Sequence, residues 1–127
     1  MKREISIDSC ALAQGPYVQG LVYNGMIYAS QIGIDKEGNL VEGGIKEQTK
    51  QIMENFKLIL ESEDSSMDKI IQCTIYIVNM EDAPLMNEVY ASYFTKPYPS
   101  RCCVQAAGMS GGAVVEMSIT AAISSDS

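Results

Sequence analysis

The chain has 127 residues, enough for one modest hydrophobic core and too few for a separate ligand-binding domain. Hydrophobic residues make up 46% against 20% charged, which argues for a globular fold, and no apolar run approaches the length that spans a bilayer. The formal charge of −7, with only nine Lys plus Arg, works against a polyanion partner, and the absence of histidine excludes Ser-His or Cys-His nucleophiles and histidine-ligated metals.

The start, Met1-Lys2-Arg3-Glu4-Ile5, lacks the apolar stretch of a secretion signal, so a cytoplasmic protein is expected, read as a single domain over 1–127. Ile5 and Ile7 flank Ser6 in a short alternating run that reads as an edge strand, and Gly15-Pro16 turns the chain just before Tyr17. Two apolar runs over 18–23 and 26–31 are joined by Asn24-Gly25, the pairing that favours a type I′ hairpin because both central residues need positive φ. With Tyr23 opposite Met26, Gln19 falls across from Ser30, and Tyr17 lies at the open end of the hairpin near Ser30. Asp35-Lys36-Glu37-Gly38-Asn39 reads as a polar surface loop.

From Ile45 the period changes. Ile45, Thr49, Ile52, Met53, Phe56, Ile59 and Leu60 mark one face of a helix that ends in the polar run 61–66. Residues 69–78 return to strand composition, with Ile71, Cys73, Ile75 and Ile77 assigned to one face and Ile70, Gln72, Thr74, Tyr76 and Val78 to the other. Both faces are then largely apolar, and two helices can cover only one of them. Self-association is the economical cover for the second. Asn79 is an expected N-cap for a second helix, with Pro84 tolerable in its first turn and an apolar stripe through Leu85, Met86, Val89, Tyr90, Tyr93 and Phe94.

Two further strands close the chain, before a short polar tail at 124–127. Cys102, Val104 and Ala106 alternate on the first, and Val115, Met117, Ile119 and Ala121 on the second. The residues between them, Arg101, Cys103 and Gln105 on one run and Glu116, Ser118 and Thr120 on the other, are expected to share the opposite sheet face. A guanidinium and a carboxylate would then converge, as a structural pair or as a catalytic one. The order of elements predicts α+β: one mixed, mostly antiparallel sheet with two helices on one face. Cys102 and Cys103 are adjacent and should point to opposite faces, so the four cysteines are read as free thiols.

Pro99-Ser100-Arg101-Cys102-x-Val104, with Val115-Glu116-Met117, resembles the C-terminal signature of the RidA (YjgF) family of imine deaminases. Gly15-Pro16-Tyr17-Val18-Gln19, Glu47-Gln48-Thr49 through Asn55, and Met86-Asn87-Glu88-Val89-Tyr90 are similar to its other blocks, in the same order. The resemblance implies a homotrimer whose sheets form a central barrel with clefts between neighbours. It also implies hydrolysis of 2-imino acids to 2-oxo acids and ammonia, without a metal or organic cofactor. It casts Arg101 as anchor of the substrate carboxylate, Glu116 near the attacking water, and Tyr17, Asn87 and Cys103 as cleft residues. The family's serine falls on Ser30 or Ala29, because this chain reads Ala29-Ser30-Gln31 and is one residue shorter there. Gly33 stands in place of a usual proline, and Met109-Ser110-Gly111 in place of Leu-Pro-Lys. A non-catalytic trimer that binds small carboxylates and the ribonuclease activity attached to the family are the alternatives. Acidity and the lack of histidine count against the ribonuclease.

Overall fold

The computed structural model describes residues 1–123, so the expected polar tail at 124–127 lies outside the described residues. Eight elements follow in the expected order: β1 (Arg3–Ile5), β2 (Gly20–Tyr23), β3 (Met26–Ile32), α1 (Ile45–Glu61), β4 (Ile70–Ile77), α2 (Ala83–Ala91), β5 (Ser100–Gln105) and β6 (Val115–Ala122). The strands form one six-stranded sheet in the order β1-β2-β3-β6-β4-β5. Only β4 and β5 pair in parallel, with α2 as their connection. The fold is therefore α+β with a mixed, mostly antiparallel sheet.

Asn24 and Gly25 take φ of 51° and 76°, and Tyr23 pairs with Met26, as the hairpin signal requires. All seven residues assigned to the inner face of α1 are buried. The helix starts where the Gly44 N–H donates to the Glu47 carboxylate at 2.9 Å, a bond that holds this carboxyl below its usual pKa. Met86 and Tyr90 bring α2 onto the same core, but Leu85 is 43% exposed and the helix ends at Ala91, so the apolar stripe is narrower than expected. Asn79 does cap this region: its side chain accepts from the Glu81 N–H at 3.0 Å, starting a 3-10 turn over Met80–Asp82 that leads into α2.

The face assignment at the start of β4 is corrected. A bulge at Ile71 shifts the register between Ile70, paired with Ala121, and Gln72, paired with Thr120. Ile70 consequently turns into the core at 5% exposure, while Ile71 turns out at 52%.

Both helices pack on the sheet face formed by Cys73, Ile75, Ile77, Val115, Met117, Ile119 and Ala121, all buried. The other face is uncovered in the single chain. Residues directly paired across strands share a face, so its rows read Tyr28-Thr120-Gln72, Ser30-Ser118-Thr74-Cys102 and Ile32-Glu116-Tyr76-Val104. Tyr28, Ile71, Tyr76 and Val104 are all exposed on it. Among the described residues no helix is long and apolar enough to cross a membrane.

Candidate active site

One expectation about the site is overturned within the single chain. Arg101 pairs with Cys73 and Cys103 with Ile75, both core positions, so Arg101, Cys103 and Gln105 point to the helix side of the sheet. Glu116 pairs with Tyr76 and Ile32 and points to the open side. The alternation on β5 has the expected period, but its apolar set, Cys102 and Val104, faces away from the helices. The reason is position: β5 is the sheet edge, its helix-side residues lie at the margin of the core and stay polar, and its apolar residues look toward the uncovered face.

Around Arg101 the chain builds a cavity of about 360 Å³ lined by Asn87, Tyr90, Ala91, Tyr98, Pro99 and the arginine itself. Arg101 Nη1 donates to Asn87 Oδ1 at 2.7 Å. The guanidinium carbon lies 4.9 Å from the centroid of the Tyr90 ring. Both partners are neutral, and among the described residues the ion pairs are Arg3–Glu63 and Lys46–Glu88, so no carboxylate offsets the Arg101 charge. An exposed guanidinium with part of its planar fork unused is suited to a small carboxylate. Cys103 is half-buried beside it. Burial pushes its thiol pKa up while the Arg101 charge pulls it down, which leaves a poor nucleophile. Gln105 serves the backbone instead, since its Oε1 accepts from the Met80 N–H at 3.0 Å and pins the entry to α2.

On the other side of the sheet Glu116, Ser30 and Tyr17 line a second cavity of about 560 Å³, together with Ala11, Ile32 and Ser110. The hairpin thus brings Tyr17 and Ser30 to one cavity, as its register suggests. Ser30 and Ser118 share a hydrogen bond at 2.6 Å, whereas the Ala29 side chain faces the helices at 8% exposure. The Ser30 side chain, not that of Ala29, is on the cavity face. Tyr17 is 64% exposed, with no role in the core.

The two cavities have no residue in common. Each single chain therefore presents two separate clusters: a cationic one with Arg101, Asn87 and, beside it, Cys103, and an acidic one with Glu116, Ser30 and Tyr17.

Three buried polar residues hold the acidic cluster in place; the sequence carries them inside its family-like blocks but gives no sign of which partners they bind. Gln19 accepts from the Ile7 N–H at 2.7 Å and donates to the carbonyls of Ile7, Cys10 and Ala11, which fixes the segment that walls the cavity. Asn55 donates to Gln31 Oε1 at 2.8 Å and to the Ile34 carbonyl at 2.9 Å, just behind Ser30. Gln48 accepts from the Val114 N–H at 2.9 Å, two residues before Glu116. Gly33 allows α1 to come close, since a Cβ there would lie 2.8 Å from the Gln48 Cα. All four cysteines are free, and among the described residues no group of three or more His, Cys, Asp or Glu is arranged to hold a metal ion.

A family model described as endoribonuclease L-PSP matches residues 9–123. A candidate regulator, AldR, from Lactococcus lactis is 37% identical over 98% of this chain and 100% of its own length. The human 2-iminobutanoate/2-iminopropanoate deaminase is 32% identical over 95% of this chain and 90% of its own. Among solved structures, TdcF from E. coli with bound serine superposes with a TM-score of 0.88 at 30% identity, covering 94% of this chain and 98% of that one.

Proposed function

The chain belongs to the endoribonuclease L-PSP family, the RidA (YjgF) family that its motifs resemble, and from that premise we propose that it hydrolyses reactive 2-imino acids to 2-oxo acids and ammonia. The observation that carries the reading is the Arg101 guanidinium, held by an amide oxygen and an aromatic face and offset by no carboxylate among the described residues. Such a group favours a small carboxylate ligand, and a relative solved with bound serine, an amino acid, is consistent with that.

The working site combines two copies. Three subunits turn their open sheet faces inward, and the cationic half-site of one copy meets the acidic half-site of its neighbour. The exposed Tyr28, Ile71, Tyr76 and Val104 support that arrangement, because burying them removes a large apolar surface from water. Arg101 then anchors the carboxylate of 2-aminoacrylate, 2-iminopropanoate or 2-iminobutanoate, with Asn87 fixing the guanidinium and Cys103 shaping the wall. Protonation converts the enamine to the imine at its β-carbon and the imine to an iminium at nitrogen. Glu116 of the neighbouring copy orients water toward the electrophilic carbon and takes up its proton. Ser30 and Tyr17 complete the polar wall. Glu116 returns that proton to the nitrogen of the carbinolamine, and loss of the hydroxyl proton then expels ammonia and leaves the 2-oxo acid. Four free thiols suit a reducing compartment such as the cytoplasm.

The test couples the purified protein to a serine or threonine dehydratase and times release of the 2-oxo acid. Acceleration over the uncoupled rate that disappears in Arg101→Ala is expected, and an unchanged rate contradicts the proposal. A second reading, a regulatory module that binds small carboxylates without turnover, draws on the 37% identical relative described as a candidate regulator. Saturable carboxylate binding with no acceleration would favour it.

A further inference from the structure

Tyr90 sits one turn after Asn87 on α2, so the two side chains fall on one stripe of the helix and both reach Arg101. Its ring is 5% exposed, is backed by Phe94 at a centroid distance of 4.8 Å, and lines the Arg101 cavity. Its hydroxyl is buried with no hydrogen-bond partner. Burial and the Cys73 thiol hold the phenol well above its ordinary pKa, so it remains neutral. Packing alone would be served as well by an aliphatic residue. The ring face under the guanidinium is what distinguishes this tyrosine.

We propose, building on the reading above, that Tyr90 is a positioning residue: its ring holds the Arg101 guanidinium flat at the end of α2 so that the unused edge of the fork faces the incoming carboxylate. The choice of partner matters. A carboxylate beneath Arg101 would orient it equally well but would offset the charge that the substrate needs. An aromatic face attracts the cation through its quadrupole and leaves the net charge in place. Asn87 does the same from the side, through a neutral carbonyl oxygen. The flexible arginine is thereby ordered before binding, which lowers the entropy lost when the ligand arrives.

Three proteins decide this: the wild type, Tyr90→Phe, which keeps the ring, and Tyr90→Leu, which keeps apolar bulk. Their affinity for 2-oxobutanoate is measured by calorimetry, KM and kcat for imine hydrolysis by the coupled assay, and folding by thermal denaturation. Tyr90→Phe should match the wild type within about twofold, while Tyr90→Leu should bind 2-oxobutanoate about tenfold more weakly and raise KM to match, with kcat little changed. The Arg101 Nε–Hε resonance should be shifted upfield by the ring in the wild type and Tyr90→Phe and return to its ordinary position in Tyr90→Leu. A folded Tyr90→Leu with wild-type affinity, a Tyr90→Phe as weak as the leucine variant, or an unshifted Arg101 resonance in the wild type would overturn the inference. The binding and resonance measurements read Tyr90 whether or not imines turn over, so loss of turnover in the wild type counts against the deaminase reading alone.

Discussion

Arg101 shows how much one residue depends on its neighbours. Its charge is the working part of the proposed site, and the groups that touch it, Asn87 and Tyr90, orient it without neutralising it. Cys73 lies beneath the same cluster, where burial pushes its pKa from the ordinary 9.0 to about 12 despite the opposing pull of Arg101. The folded chain thus keeps a thiol proton that the unfolded chain releases. That stabilising contribution is complete below the unfolded pKa and is lost as pH rises from about 9 toward about 12. Denaturation midpoints measured across this range should fall, and Cys73→Ala should fall less steeply than the wild type even though its starting stability is lower. At this scale the sequence names Arg101, Asn87, Glu116 and Tyr17 through their motifs and leaves the serine open between Ser30 and Ala29. Tyr90 is not legible as a site residue, because a tyrosine on a helical apolar stripe has the same pattern as any core aromatic.

At the scale of elements, the hairpin and α1 are written most clearly. Asn24-Gly25 has almost no alternative to a tight positive-φ turn, and the apolar face of α1 repeats through four turns. The start of β4 is not so legible, because a single extra residue at Ile71 exchanges the two faces, and alternating composition carries no mark of a bulge. The polar side chains that tie elements together are also silent in the pattern. Asn55 is the clearest case: at 2% exposure it joins α1 to Gln31 and to the Ile34 carbonyl behind the acidic cluster. Asn55→Ala should cost roughly 1–3 kcal/mol, since it leaves buried partners unsatisfied. Chemical denaturation checks the loss, and a change within a few tenths of a kcal/mol would show that water or a relaxed Gln31 replaces the amide.

For the molecule as a whole, the sheet has one face too many. Composition makes this readable, since β4 is apolar on both sides and the two helices cover only one. Which side β5 presents is not readable, because alternation gives the period of a strand without saying which face is the core. The structure resolves it: Val104 looks outward at 41% exposure, and Arg101 and Glu116 lie on opposite sides of the same sheet. Arg101 and Glu116 of one chain do not meet, and on the proposed reading a second copy brings them together.

Mixing two inactive variants tests that claim most directly. Arg101→Ala and Glu116→Gln are each purified, shown to be inactive, dissociated together in equal amounts and reassembled, and imine hydrolysis is timed. Random reassembly should restore about a quarter of wild-type activity, the fraction of clefts in which an intact Arg101 from one copy faces an intact Glu116 from the next. A mixture as inactive as its parents, with mixed trimers demonstrated by mass, would contradict a site shared between copies.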